Sequence, residues 1–175
     1  MDKFEYKKAF GQNFIKYNNI IYKIVKAADI DKDTLVIEIG PGAGSLSKSI
    51  VPLSGNAILY EIDTRLEDTL YSLLGQYDNY KIIFNDFLKQ DVKKDIEGYK
   101  YKKLYVVANL PYYITTPIVT GLVESGLDIE KIVVMIQKEV ADRYAAKVGT
   151  REYSSITVFL DYYYDIKKEF LVSRN

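Results

Sequence analysis

The chain has 175 residues, with 24 Lys plus Arg against 24 Asp plus Glu, and no His, Cys or Trp. Without imidazole or thiol there is no catalytic triad, His base, thiolate nucleophile, disulfide or Cys/His zinc site. A purely carboxylate metal site stays open by composition, and 48% hydrophobic with 27% charged residues suits one soluble globular domain.

The N-terminus MDKFEYKKAF is charged and lacks the apolar core of a signal peptide. No run of about 18 apolar residues is present to span a bilayer. A cytoplasmic protein with no membrane partner is expected. Zero net charge gives no global basic field, but residues 1–26 hold Lys3, Lys7, Lys8, Lys16, Lys23 and Lys26 against Asp2 and Glu5. That cluster is either a solvated face or a local phosphate-contacting patch.

In chain order, Ile21, Ile24, Val25 and Ala28 recur at helical spacing behind Asn18 and Asn19, both suited to N-capping. LVIEIG (35–40) reads as a buried strand ending in glycine. A helix follows from about Ser45, and Pro52 disturbs or ends it. AILYEID (57–63) is a second strand, followed by a helix with the stripe Leu66, Leu70, Leu73 and Leu74. KIIFND (81–86) and KLYVVANL (103–110) are the third and fourth strands. Thr116-Pro117 reads as an N-cap and a first-turn proline, with Ile118, Val119, Leu122 and Val123 as the buried face. KIVVMIQ (131–137) is strand five, and a helix runs through Val140 and Tyr144. In ITVFLDYYYDIKKEFLVS (156–173), two β-rich runs meet near Asp165–Lys168, which predicts a C-terminal β-hairpin. The expected fold is α/β and Rossmann-like, a seven-stranded, mainly parallel sheet ending in that hairpin. Ligands then belong at the C-terminal ends of the strands.

After strand one stands Glu38-Ile39-Gly40-Pro41-Gly42-Ala43-Gly44. The dinucleotide spacing Gly-x-Gly-x-x-Gly fails, because its last position is Ser45. That spacing argues against a nicotinamide oxidoreductase. Glu-x-Gly-x-Gly-x-Gly instead resembles the class I S-adenosylmethionine-dependent methyltransferases. After strand two, Glu61 is an acceptor for both hydroxyls of a ribose, with Ile62 beside it. Asp63 competes, but reads better as the N-cap of the next helix. After strand three, Asp86 is either a turn residue or the acceptor for an adenine amine, with the neighbouring Phe87 able to cover the ring. After strand four, Asn109-Leu110-Pro111-Tyr112 offers a side-chain carbonyl, a backbone carbonyl freed by proline, and an aromatic face. Two converging acceptors suit an –NH₂ on a planar ring stacked on Tyr112. Tyr113 is expected to pack inward.

Asn109–Tyr112 resembles motif IV of amino methyltransferases, and Lys7–Phe14 (KKAFGQNF) is similar to the N-terminal motif of ribosomal RNA adenine dimethyltransferases. Together with Glu38–Gly44, Glu61, Asp86 and Gln137–Val140, the pattern resembles the KsgA family across essentially the whole chain. Gly11 and Leu110 favour it over the erythromycin-resistance methylases of large-subunit (23S) RNA. The resemblance implies S-adenosylmethionine as cofactor, S-adenosylhomocysteine as product, and no metal. It implies two methyl groups placed on each of two adjacent adenines of small-subunit (16S) ribosomal RNA. The partner is then an immature 30S particle and the protein a monomer. The implied cofactor-binding set is Gln12, Asn13, Ile15, Glu38, Gly40, Gly42, Gly44, Glu61, Ile62, Asp86, Phe87 and Asn109. The implied catalytic set is Asn109, Leu110, Pro111 and Tyr112. Departures are Tyr153-Ser154, where relatives have Tyr-Gly, and an end at Asn175, before a Phe-x-Pro loop and a helical RNA-binding domain. A catalytic domain that binds cofactor but turns RNA over slowly is therefore expected. An assembly-binding factor with little turnover is the reading from a different class.

Overall fold

The computed structural model describes residues 18–172. Helix α1 (Asn18–Ala28) leads into β1 (Thr34–Ile39), the short α2 (Ser47–Ile50), β2 (Asn56–Glu61) and α3 (Glu67–Leu74). Then come β3 (Tyr80–Phe84), α4 (Val92–Asp95), β4 (Lys103–Asn109), α5 (Thr115–Glu124), β5 (Lys131–Met135), α6 (Lys138–Tyr144) and α7 (Ser155–Tyr163). Single 3₁₀ turns, Thr64–Leu66 and Phe87–Lys89, precede α3 and α4.

All strands are parallel, in the order β3-β2-β1-β4-β5. The first strand is central, paired with β2 through Ile39 opposite Tyr60 and with β4 through Ile39 opposite Ala108. The chain order reverses between β1 and β4, the place where open α/β sheets leave a crevice for ligands. A parallel sheet must be covered on both faces, so its strands are continuous apolar runs; β1 is buried at every position. On one face Leu35, Ile37, Ile39, Ile58, Val106 and Ala108 pack with Ile118 and Leu122 of α5, Tyr144 of α6 and Leu160 of α7. On the other, Val36 and Val107 meet Ile21, Ile24 and Ala28 of α1, while Ala57 and Leu59 meet Leu66, Leu70 and Leu74.

Two polar seams fix the frame. Lys131 Nζ donates to the Ala28 carbonyl at 3.0 Å and stands 4.9 Å from the Tyr105 ring centre, so the C-terminal carbonyls of α1 gain a cation and the helix is tied to β5. At the opposite end of the sheet from the glycine turn, Lys103 pairs with Asp31 at 2.6 Å and Lys102 with Asp33 at 2.8 Å, joining the entries of β1 and β4.

The predicted seven strands and hairpin are corrected here. The described residues contain five strands, and α7 takes up residues 156–163 of the expected hairpin. Ile156, Thr157, Phe159 and Leu160 face the core at helical spacing. The same β-branched and aromatic residues also satisfy strand propensity, and periodicity cannot separate the two over so short a run. Ser154 decides it, as N-cap, its N–H donating to Thr157 Oγ1 at 3.2 Å. Residues 164–172 have no regular secondary structure, and Tyr164 OH anchors their start on the Ile129 carbonyl at 3.0 Å. The expected helix at Ser45 is only the short α2, which ends just before Pro52, and the N-cap of α5 is Ile114 rather than Thr116.

Candidate functional site

Beyond β1 the chain turns through Gly40, Gly42 and Gly44, with φ of 71°, 59° and 79°. All three lie in the left-handed region, where a Cβ costs roughly 1–2 kcal/mol. Gly44 also lies against α3, where a Cβ would meet Leu73 Cδ2 at 2.5 Å and Leu70 Cδ2 at 3.1 Å, so a side chain there would have to displace those leucine methyls. A Cβ on Gly40 would stand 4.0 Å from the Asn109 carbonyl oxygen. The loops after β1 and β4 therefore meet at the reversal of strand order.

Glu61 ends β2 and is buried. Its Oε2 accepts from Gly42 N at 2.8 Å and its Oε1 from Asp63 N at 2.9 Å. The carboxylate thus braces the glycine turn, and each oxygen keeps further acceptor capacity. Burial pushes the Glu61 carboxyl upward, opposed by the N–H groups of Asp63 and Gly42. Asp63 caps the following turn, accepting from Arg65 N at 3.2 Å and Nε at 2.8 Å, in line with its reading as a cap. Ile62 is exposed beside Glu61.

Asp86 caps the turn after β3, its Oδ1 accepting from Leu88 N at 3.1 Å. The Phe87 ring packs edge-on against Tyr60, with centroids 5.1 Å apart. The side chain exposed next to Asp86 is that of Leu88, at 46%. Sequence reading did not single out Leu88: a three-residue 3₁₀ turn has no periodicity to say which of two apolar neighbours points inward.

Asn109 closes β4 opposite Met135 of β5, and Leu110 N donates to the Met135 carbonyl at 3.2 Å. Among the described residues no donor reaches the Leu110 carbonyl. The Pro111 carbonyl accepts from Ile114 N at 3.3 Å and from Thr115 Oγ1 at 2.9 Å. That turn presents Tyr112 at the surface. Tyr113, expected to pack inward, is 57% exposed instead, because both tyrosines lie on the outer arc of the same turn. Gln12, Asn13 and Ile15 lie outside the described residues, as do Lys3, Lys7, Lys8 and Lys16.

Glu38 is enclosed beneath the glycine turn at 1% exposure. Its Oε2 and the buried Ser47 Oγ form no hydrogen bond among the described residues. Burial, reinforced by the Glu61 charge, pushes the Glu38 carboxyl up to about 8. A carboxyl raised above its unfolded value stabilises the fold below that value and loses the contribution as pH rises through the folded one. Stability should therefore decline between about pH 5 and 8, and Glu38→Gln should flatten that decline. Urea unfolding of both proteins across this range checks it; parallel curves would refute it.

A doubly wound domain whose turn after the first strand runs Glu-x-Gly-x-Gly-x-Gly, and whose fourth strand opens into Asn-Leu-Pro-Tyr, is of the class I methyltransferase kind. Comparison with known proteins narrows this. Ribosomal RNA small subunit methyltransferase A of Macrococcus caseolyticus (strain JCSC5402) is 46% identical over 173 residues, covering 98% of this chain and 58% of its own length. The crystal structure of a dimethyladenosine transferase from Plasmodium falciparum aligns with a TM-score of 0.72 and 32% identity, over 83% of this chain and 51% of that one. The crystal structure of the 23S rRNA methyltransferase ErmE aligns with a TM-score of 0.67 and 28% identity, over 78% of this chain and 53% of that one. The chain belongs to the ribosomal RNA adenine dimethylase family, whose sequence model matches residues 3–172. It spans 58–60% of the length of the curated relatives it matches.

Proposed function

We propose that the chain is the catalytic domain of an S-adenosylmethionine-dependent enzyme that dimethylates the exocyclic amines of two adjacent adenines in small-subunit ribosomal RNA. Its partner is an immature small ribosomal subunit, and it acts as a cytoplasmic monomer. The observation carrying this reading is the approach of Gly40 to the Asn109 carbonyl, 4.0 Å from a Cβ built on the glycine. It sets a close-approach glycine turn beside the loop that offers acceptors to an amine.

The residues present fit the nucleoside. The Gly40–Gly44 turn admits a closely lying methionine portion, Glu61 has acceptor capacity left for ribose hydroxyls, and Asp86 Oδ2, 3.7 Å from Lys89 Nζ, keeps acceptor capacity for an adenine amine. Ile62 and Leu88 are the apolar flanks of that ring. Gln12, Asn13 and Ile15 belong to the same reading, as members of the cofactor-binding set. The cofactor supplies a methyl group already activated by its sulfonium charge.

What remains for the protein is the amine. Its lone pair is delocalised into the adenine ring, which makes it a poor nucleophile. Hydrogen bonds donated by the amine to Asn109 Oδ1 and the Leu110 carbonyl favour a pyramidal nitrogen with its lone pair directed at the methyl. That is positioning plus electrostatic stabilisation of the charge developing on nitrogen. The proton leaves after attack, so a chain without His lacks nothing. The adenine must leave its stack, and Tyr112 repays part of that, since base–aromatic stacking is worth about 1–3 kcal/mol.

Calorimetric titration with S-adenosylmethionine and S-adenosylhomocysteine, followed by tritiated-methyl transfer to immature 30S and 50S particles, tests this. Binding of both nucleosides and label on adenines of the small-subunit RNA are expected. Label on large-subunit RNA would move the chain to the erythromycin-resistance activity. Binding of particles without any transfer would leave an assembly factor.

A further inference from the structure

Between the two groups assigned to the adenine, the Leu110 carbonyl and the Tyr112 ring, lies one residue, Pro111. Its φ is locked by the pyrrolidine ring. The soft main-chain torsions between the Leu110 carbonyl and the Tyr112 side chain are then the ψ of Pro111 and the φ of Tyr112, and the direction of the Pro111 carbonyl reports the first. That carbonyl is held by the long bond from Ile114 N at 3.3 Å and the shorter one from Thr115 Oγ1 at 2.9 Å.

Thr115 is the first residue of α5 and is 2% exposed. A Thr hydroxyl inside a helix that bonds back to the carbonyl four residues earlier merely duplicates a ladder bond and bends the helix. Here the residue four earlier lies in a loop, where the backbone bond to that oxygen is the long one from Ile114 N at 3.3 Å. The helix itself is anchored in the core through Ile118 and Leu122. A neighbouring hydroxyl does something different: Thr116 Oγ1 meets Tyr144 OH at 2.9 Å and ties α5 to α6 without touching the loop.

We propose that Thr115 is a positioning residue, which sets the main chain of Tyr112 relative to the Leu110 carbonyl by holding the Pro111 carbonyl. The inference rests on the adenine-methylating reading of that loop. Thr115→Val keeps the shape and removes the hydroxyl, whereas Thr115→Ser keeps the hydroxyl and removes a methyl. Three readouts apply to each: single-turnover methyl transfer to small-subunit RNA, S-adenosylmethionine affinity, and hydrogen exchange at the Ile114 amide.

Thr115→Val should slow transfer about tenfold or more, as small misplacements at a reacting centre do. It should leave cofactor affinity unchanged and speed exchange at Ile114. Thr115→Ser should restore both rate and protection. Tyr144→Phe should lower the melting temperature without changing the transfer rate. A Val variant as fast as the unaltered chain, or a Ser variant as slow as the Val variant, overturns the inference. If the unaltered chain transfers no methyl to any RNA, the proposed reaction fails instead. Exchange at Ile114 then decides Thr115 alone: faster in Val and normal in Ser supports it, and equal in all three removes it.

Discussion

Asn109→Ala is expected to reduce methyl transfer by about 10²–10³-fold, the usual effect of deleting one preorganised hydrogen-bonding group from a polar reaction site. Asn109 is held at the end of β4 by pairing with Met135, and its carbonyl faces the Gly40 turn. Only its side chain is altered, so the backbone acceptor at Leu110 survives and the adenine still finds one of its two partners. Cofactor affinity should fall far less than the rate, and attachment to small-subunit particles should persist. Tritiated-methyl transfer beside a calorimetric titration separates these quantities. A variant retaining more than about a tenth of the original rate would remove Asn109 from the reaction, since that loss is below what an oxyanion-type donor or acceptor normally supplies.

Glu61→Leu should weaken S-adenosylmethionine binding by roughly two to four orders of magnitude. Hydrogen bonds to a charged acceptor contribute about 1.5–3 kcal/mol each. Two ribose hydroxyls lose theirs, and each 1.4 kcal/mol is about tenfold in affinity. A second loss adds to the first, because the Gly42 and Asp63 amides that donate to the carboxylate at 2.8 and 2.9 Å become unpaired in a buried setting. Thermal stability should therefore drop along with affinity. Glu61→Gln, which keeps a single acceptor oxygen, should recover part of both. If the Leu variant bound the nucleoside within about tenfold of the original, a single weak hydrogen bond would account for it and the ribose assignment would be wrong.

The sheet was legible because a parallel strand covered on both faces leaves an unmistakable apolar run. Thr34–Ile39 and Lys103–Asn109 agree with their expected strands to within a residue. The strand-end residues were legible because chain order fixes which loop follows which strand, so Gly40, Glu61, Asp86 and Asn109 come together at one end of the sheet. Side-chain direction in short turns was not. Phe87 turns to Tyr60 and leaves Leu88 outside, while Tyr113 lies outward next to Tyr112. The run around Phe159 fits strand and helix alike by composition, and what separates them is one serine cap. The isolation of Glu38 was equally invisible, since an acid in a glycine motif does not say which layer of the fold encloses it.

The double duty of Glu61 has an evolutionary corollary. A descendant that abandoned chemistry and survived only as a scaffold would still have to keep this acid, because the fold itself leans on it through two main-chain amides. Retention of the acid is thus a poor marker of living activity in a divergent copy.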